Sequence, residues 1–275
     1  MIPRCSKEQH TKSHGEYNTM ILAVDIGNTN IVIGCIEGED VIFAERVSTD
    51  ASKTELEYVV QLSTLLELYE VDSSCITGAI VASVVPPLNT IMTAAIRKLL
   101  HTDPMIVGPG IKTGLNILMD NPAQVGADLI VNAVAGIKYY GAPLIMIDMG
   151  TATTLSVVDG NRNYIGGMIV PGVRVSLDSL VNRTAQLPRI SLEAPKKIIG
   201  RNTIDCMKSG IVMGQAAQMD GLIDRIWEEM GQEIPIVATG GLSGSIVTHC
   251  KHEIILDNEL TLKGLGEIYK KNTEV

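Results

Sequence analysis

The sequence predicts an α/β fold made of two related halves. Three observations carry that prediction. The stretch Met20 to Gly34 reads as a short buried strand, a carboxylate at Asp25, a tight polar turn through Gly27, Asn28 and Thr29, and a second apolar strand from Ile31. The stretch Pro143 to Val158 repeats that grammar: an apolar run, Asp148-x-Gly150, a hydroxyl-rich turn and another apolar run. Between and after these hairpins, strand-like runs alternate with helical-period stretches, the pattern of a mixed α/β layer. The 275 residues leave room for about two domains. We place the halves at residues 20–140 and 141–275.

Each Asp-x-Gly turn combines a strand-end carboxylate with backbone N–H groups and small hydroxyls. Such a tip suits a phosphate and its metal ion, although a polar hairpin tip alone has the same composition. The repeat favours the functional reading. A polyphosphate lying in one cleft between two such tips meets carboxylates for a cation and hydroxyls for its oxygens.

Bulk properties exclude several classes. Hydrophobic residues make up 45% and charged residues 19%, enough for a sizeable core and against global disorder. A net charge of −9 argues against sequence-independent nucleic-acid binding, which needs clustered Lys and Arg. One Trp and one Phe argue against a base-stacking platform. The five cysteines are far apart and form no Cys-x-x-Cys pair, as expected of a reduced, cytoplasmic protein. No apolar run approaches the ~18 residues a membrane helix needs.

The elements follow in order. Residues 1–19 are polar, lack the apolar centre of a signal peptide and read as a disordered leader. A third strand over Asp40 to Thr49 pairs back across the Glu37-Gly38-Glu39 turn. Leu56, Val59, Val60, Leu62, Leu65, Leu66 and Leu68 have helical spacing, with Ser52 or Thr54 as the cap. Gly78 to Val85 is a buried strand ended by Pro86 and Pro87, Leu88 to Leu100 a helix, and Pro104 to Gly108 a short strand. Asp128 falls in the first turn of the next helix, where the dipole favours a carboxylate by a few tenths to about 1 kcal/mol. Gly166 to Arg174 reads as a glycine-rich loop entering a helix over Val175 to Asn182. Thr203 to Met230 is a long helical pattern in which Gly210 and Gly214 mark close packing or a break. Ile234 to Thr239 is a strand that runs into the Gly240-Gly241 turn, where the main chain can approach a ligand closely.

From Met20 to about Lys271 the chain resembles the type III pantothenate kinases of the acetate kinase/sugar kinase/Hsp70/actin superfamily. The motifs, in family order, are Asp25 to Asn30, Gly126 to Asp128, Asp148 to Thr154, Gly166 to Arg174, Thr184 to Pro188 and Thr239 to Leu242. The resemblance implies duplicated actin-like ATPase (ribonuclease H-like) domains, with mixed sheets flanked by helices and a cleft between them. It implies ATP-dependent phosphorylation of pantothenate, the first step towards coenzyme A. It further implies magnesium, a monovalent cation (potassium or ammonium) and a homodimer with active sites near the interface. By motif match, Asp25, Ile26, Gly27, Asn28, Thr29, Asn30, Ile31, Val32 and Thr151 form the ATP site, and Asp148 holds the monovalent cation. Gly126, Ala127, Asp128 and Leu129 form the pantothenate segment, with Asp128 as proton acceptor, and Thr203 is a further substrate contact.

One position departs from the family pattern. The family has Arg after the catalytic Asp, whereas this chain has Leu129. Arg clamps a carboxylate with two parallel hydrogen bonds and Leu cannot. Pantothenate carries a carboxylate, so the departure implies weaker substrate binding unless another base, with Arg174 the candidate, takes that role. It also keeps open a related kinase for another small alcohol, and a nucleotide-binding regulatory protein with weakened catalysis.

Overall fold

A computed structural model describes residues 20–273. The leader expected over residues 1–19 lies outside the described residues. The described elements are β1 (Met20–Ile26), β2 (Asn30–Glu37), β3 (Asp40–Ser48), α1 (Glu55–Leu68), β4 (Ile76–Ser83), α2 (Pro86–Leu100), β5 (Met105–Ile106), β6 (Asn116–Ile117), α3 (Ala127–Tyr140), β7 (Leu144–Met149), β8 (Ala152–Val158), β9 (Asn163–Pro171), α4 (Val173–Arg183), α5 (Thr203–Lys208), α6 (Gly214–Met230), β10 (Ile236–Thr239), α7 (Ser243–Val247), β11 (Ile255–Leu256) and α8 (Leu260–Thr273). They form two compact units. One comprises the described residues through Gly114, residues 123–135 and those from Thr261 onward; the other comprises residues 115–122 and 136–260.

The first unit is built on a five-stranded sheet of order β3-β2-β1-β4-β5. Strands β1, β2 and β3 form an antiparallel meander, while β4 and β5 add in parallel. β1 sits in the middle and is apolar at every position but one, as expected of a strand covered on both faces. Leu22, Val24 and Ile26 point to one face, where they pack with Tyr58 and Leu62 of α1 and Leu88, Met92 and Ile96 of α2. Helix α8 lies on the opposite face, with Leu262 against Gly34 and Tyr269 against Gly78. The local starts are legible in chemistry. Thr54 and Glu57 form a reciprocal capping box on α1, and the two prolines that end β4 open α2, where a missing N–H costs nothing.

The second unit repeats this topology. Its order is β11-β10-β7-β8-β9-β6, and the run β9-β8-β7-β10-β11 has the same strand senses as β3-β2-β1-β4-β5. β6 adds a short parallel edge beside β9. Ile145, Ile147 and Met149 of β7 pack with α4, α6 and α7 in a second core. None of the described helices is long and apolar enough to cross a membrane.

One expected loop is a strand. Gly166 to Pro171 belongs to β9, not to a loop before α4. The glycines mark an irregularity of pairing: the register shifts between Val157 and Val158, beside Gly166, whose φ is 136°. At Gly167 a Cβ would lie 2.0 Å from the Leu155 carbonyl oxygen, so the strands approach where a side chain has no room. Gly210 and Gly214 fall in and just after a π-helical turn, Ser209–Met213, which joins α5 to α6.

Candidate functional site

In the first unit the site residues expected from the sequence gather where β1 ends. Asp25 is half-buried, the one position of β1 besides the apolar ones, and lies opposite Val32 of β2 and Ala82 of β4. Its neighbours Val24 and Ile26 point into the α1–α2 core, so Asp25 points to the other face of the sheet. The turn closes with the Gly27 N–H donating to the Asn30 carbonyl at 3.0 Å, which leaves Asn28, Thr29 and Asn30 exposed at the tip. Ile26 and Ile31 bury their side chains completely, so only their main chain is available to a ligand.

Thr49, just beyond β3, braces this tip. Its hydroxyl donates to the Gly27 carbonyl at 2.6 Å and its N–H to the Thr29 carbonyl at 2.9 Å. Nothing in the sequence marked Thr49, because its role depends on the β2–β3 register.

Helix α3 begins close to the end of β4. The space beside Gly126 contains the Asp128 carboxylate and the Val84 side chain, and a Cβ at Gly126 would come within 2.4 Å of Asp128 Oδ1. Gly126 therefore leaves room for that carboxylate. Asp128 Oδ1 accepts the Leu129 N–H at 2.9 Å. Burial pushes the Asp128 carboxyl above the ordinary carboxylate range, partly offset by backbone hydrogen bonds from Leu129 and from its own N–H. A raised pKa makes the carboxylate a stronger base, as a proton acceptor requires. Leu129 is half-buried and contributes no charge.

In the second unit the equivalent tip is tighter. Asp148 lies opposite Thr154 of β8 and Thr239 of β10. The Gly150 N–H donates to the Ala152 carbonyl at 3.0 Å, so Thr151 alone forms the tip, where Asn28 and Thr29 form the first one. Gly172 and Gly240 close around it. A Cβ at Gly172 would lie 2.3 Å from the Thr151 carbonyl oxygen, and one at Gly240 would lie 2.7 Å from Asp148 Oδ1 and 2.6 Å from the Met149 nitrogen. Gly240 also has φ 96°, a backbone conformation that side chains disfavour. The close approach expected of the Gly240 turn is thus an approach to Asp148.

A carboxylate beside turn carbonyls is a set of hard oxygen donors, which fits a hard cation. Among the described residues, no group of three or more His, Cys, Asp or Glu side chains is arranged to hold a metal. A cation held at Asp148 would draw most of its ligands from main-chain oxygens, phosphates or water.

Thr203 opens α5, after Asn202, whose side chain accepts the Asp205 N–H at 2.9 Å. It lines a cavity of about 540 Å³ with Leu180, Leu187, Arg201, Cys206 and Met207 among its walls. Arg174 is exposed in the first turn of α4. The first unit thus holds Asp25 to Val32 and Gly126 to Leu129, and the second holds Asp148, Thr151, Arg174 and Thr203.

A duplicated sheet of this order, with a carboxylate and a polar turn at the end of each central strand, defines a protein of the actin-like ATPase and sugar kinase fold. A family model of type III pantothenate kinases matches residues 21–225. A type III pantothenate kinase of Halalkalibacterium halodurans is 45% identical over 92% of this chain and 100% of its own length. One of Brevibacillus brevis is 46% identical over 92% and 99%. Among solved structures, a Campylobacter jejuni protein assigned to the Baf family of transcriptional activators aligns with TM-score 0.54 at 19% identity, covering 92% of this chain and 100% of that one, a likeness of fold alone. The chain belongs to the type III pantothenate kinase family.

Proposed function

We propose that this chain transfers the γ-phosphoryl group of ATP to the primary hydroxyl of pantothenate, giving 4'-phosphopantothenate and ADP, the first step of coenzyme A biosynthesis. The observation that carries this reading is the likeness to type III pantothenate kinases over nearly the whole of both chains. The hydroxyl oxygen attacks the γ-phosphorus, the bond to the ADP oxygen breaks, and Asp128 takes the hydroxyl proton. Phosphoryl transfer asks the protein mainly for positioning and charge neutralisation. The turn from Asp25 to Val32 and the Thr151 tip hold the nucleotide phosphates. Gly126, Ala127, Leu129 and Thr203 bind pantothenate. Magnesium travels with the phosphates on the Asp25 side, and Asp148 holds potassium or ammonium. The working form is a cytoplasmic homodimer.

Leu129 favours a second reading, a kinase for a related small alcohol without a carboxylate. ADP release, coupled to a detectable reaction and measured with pantothenate and with a panel of small alcohols, each with and without potassium, separates the two. Turnover with pantothenate that rises with potassium supports the first reading. Turnover only with an uncharged alcohol overturns it.

A further inference from the structure

Asp220 lies on α6, 8% exposed, away from both Asp-x-Gly turns in sequence. Its carboxylate accepts the Lys251 N–H at 2.9 Å (Oδ1) and 3.0 Å (Oδ2), and the His252 N–H at 3.2 Å. A buried carboxylate is stable where hydrogen bonds satisfy it, and here the donors are backbone N–H groups of a distant loop, so Asp220 ties that loop to α6. The loop it grips is the exit of α7. There the His249 N–H donates to the Ile246 carbonyl and the Cys250 N–H to the Val247 carbonyl. The Cys250 thiol lies between the Ala216 and Ile246 carbonyls, at 3.8 and 3.7 Å. His252 adds a hydrogen bond between its Nε2 and Asp224 Oδ1 at 2.8 Å and an edge contact with Trp227.

The other end of α7 is held at the turn. Ser243, fully buried, donates to the Gly240 carbonyl from its hydroxyl at 2.6 Å and from its N–H at 3.3 Å. Gly240 in turn lies against Asp148 and Met149. Helix α7 has five residues, too few to be stable alone. Its position is set by what grips its ends.

We propose that Asp220 and Ser243 are positioning residues: together they clamp α7 so that the Gly240 turn presses on Asp148 and fixes its carboxylate for a cation. This rests on Asp148 being the cation ligand, and the test separates the two claims. The full-length protein is assayed as wild type, Asp220→Ala, Asp220→Asn and Ser243→Ala. Potassium half-activation and KM for pantothenate are measured, together with amide exchange over residues 240–243 and 26–30. Removing a residue that supports a metal ligand typically weakens metal binding by about 10–100-fold, and we expect the lower end here. Asp220→Ala and Ser243→Ala should both raise the potassium needed for half-activation and speed exchange over 240–243. Exchange over 26–30 and KM for pantothenate should stay put. Asp220→Asn, which keeps one acceptor oxygen, should fall between.

Unchanged exchange over 240–243 in both Asp220→Ala and Ser243→Ala overturns the clamp, as does a rise in KM for pantothenate equal to the rise in potassium requirement. If Asp220→Ala does not fold, Asp220→Asn and Ser243→Ala carry the same comparison. If the wild type shows no potassium response, the assignment of Asp148 fails, and amide exchange alone decides whether the clamp exists.

Discussion

Asp25 and Asp148 occupy equivalent positions in two copies of one sheet. Each is the next-to-last residue of the central strand of its copy, and each lies between an antiparallel partner (Val32 or Thr154) and a parallel one (Ala82 or Thr239). The turns that follow differ by one residue, two at the first tip and one at the second. The duplication supplies two carboxylates, each beside a turn of different length. With Asp148 as the proposed monovalent-cation ligand, replacing it by Ala should abolish potassium activation. Activity of that variant titrated with potassium is the check; a rise like that of the wild type puts the cation site elsewhere.

Asp128 should act as general base. Asp128→Asn is expected to lower kcat by roughly 10²–10⁴-fold with the fold intact, the usual range for such a group. Because burial raises the carboxyl above its ordinary value, kcat/KM of the wild type should climb with pH through that raised value and level off above it. The variant should lack that limb.

The same shift bears on stability. A carboxyl whose pKa is raised by folding favours the folded state while protonated, and that contribution is lost as pH rises through the folded value. The advantage of Asp128→Asn in thermal stability should thus be absent below the ordinary value of 3.8 and appear above the raised one. Melting temperatures of both proteins across that window test the sign. A variant less stable at neutral pH contradicts it.

Much of this was legible in the sequence. The repeated apolar–Asp-x-Gly–apolar pattern determines both hairpins, because a buried strand must stop where a carboxylate and a glycine interrupt it. The helical spacing from Leu56 to Leu68, with Ser52 or Thr54 before it, announces α1. The first turn of α3 was readable from the spacing after Asp128. What the sequence hid depends on register and on contacts between distant segments. Gly166 and Gly167 look like a loop, yet their lack of side chains lets β9 run beside β8. Thr49, Ser243 and Asp220 carry no local signal, since each acts on backbone groups that only pairing and packing bring near.

Gly240→Ala is expected to harm both fold and cation use. The residue must take φ 96° and place a Cβ 2.6 Å from the Met149 nitrogen. Forcing a side chain into such a backbone region costs on the order of 1–3 kcal/mol. Denaturant unfolding gives the loss of stability, and a variant as stable as the wild type would refute the crowding.

Leu129→Arg should lower KM for pantothenate and leave KM for ATP nearly unchanged. A hydrogen bond to a charged group contributes roughly 1.5–3 kcal/mol, or about ten- to a hundredfold in affinity. If the Arg variant gains nothing, Arg174→Ala in the Leu129 background distinguishes the causes. A further loss there means Arg174 already holds the carboxylate, and no loss means pantothenate is not the substrate.

The central claim is that this chain phosphorylates the hydroxyl of pantothenate with Asp128 as base. The most direct measurement is identification of the product. Wild type and Asp128→Asn are incubated with ATP, magnesium, potassium and pantothenate, and the phosphorylated species is characterised by mass and phosphorus NMR. The account predicts a phosphate ester on the primary hydroxyl, stable to hydroxylamine, formed in step with ADP and far more slowly by Asp128→Asn. An acyl phosphate on the carboxylate, ADP without phosphorylated pantothenate, or equal rates from the two proteins would contradict it.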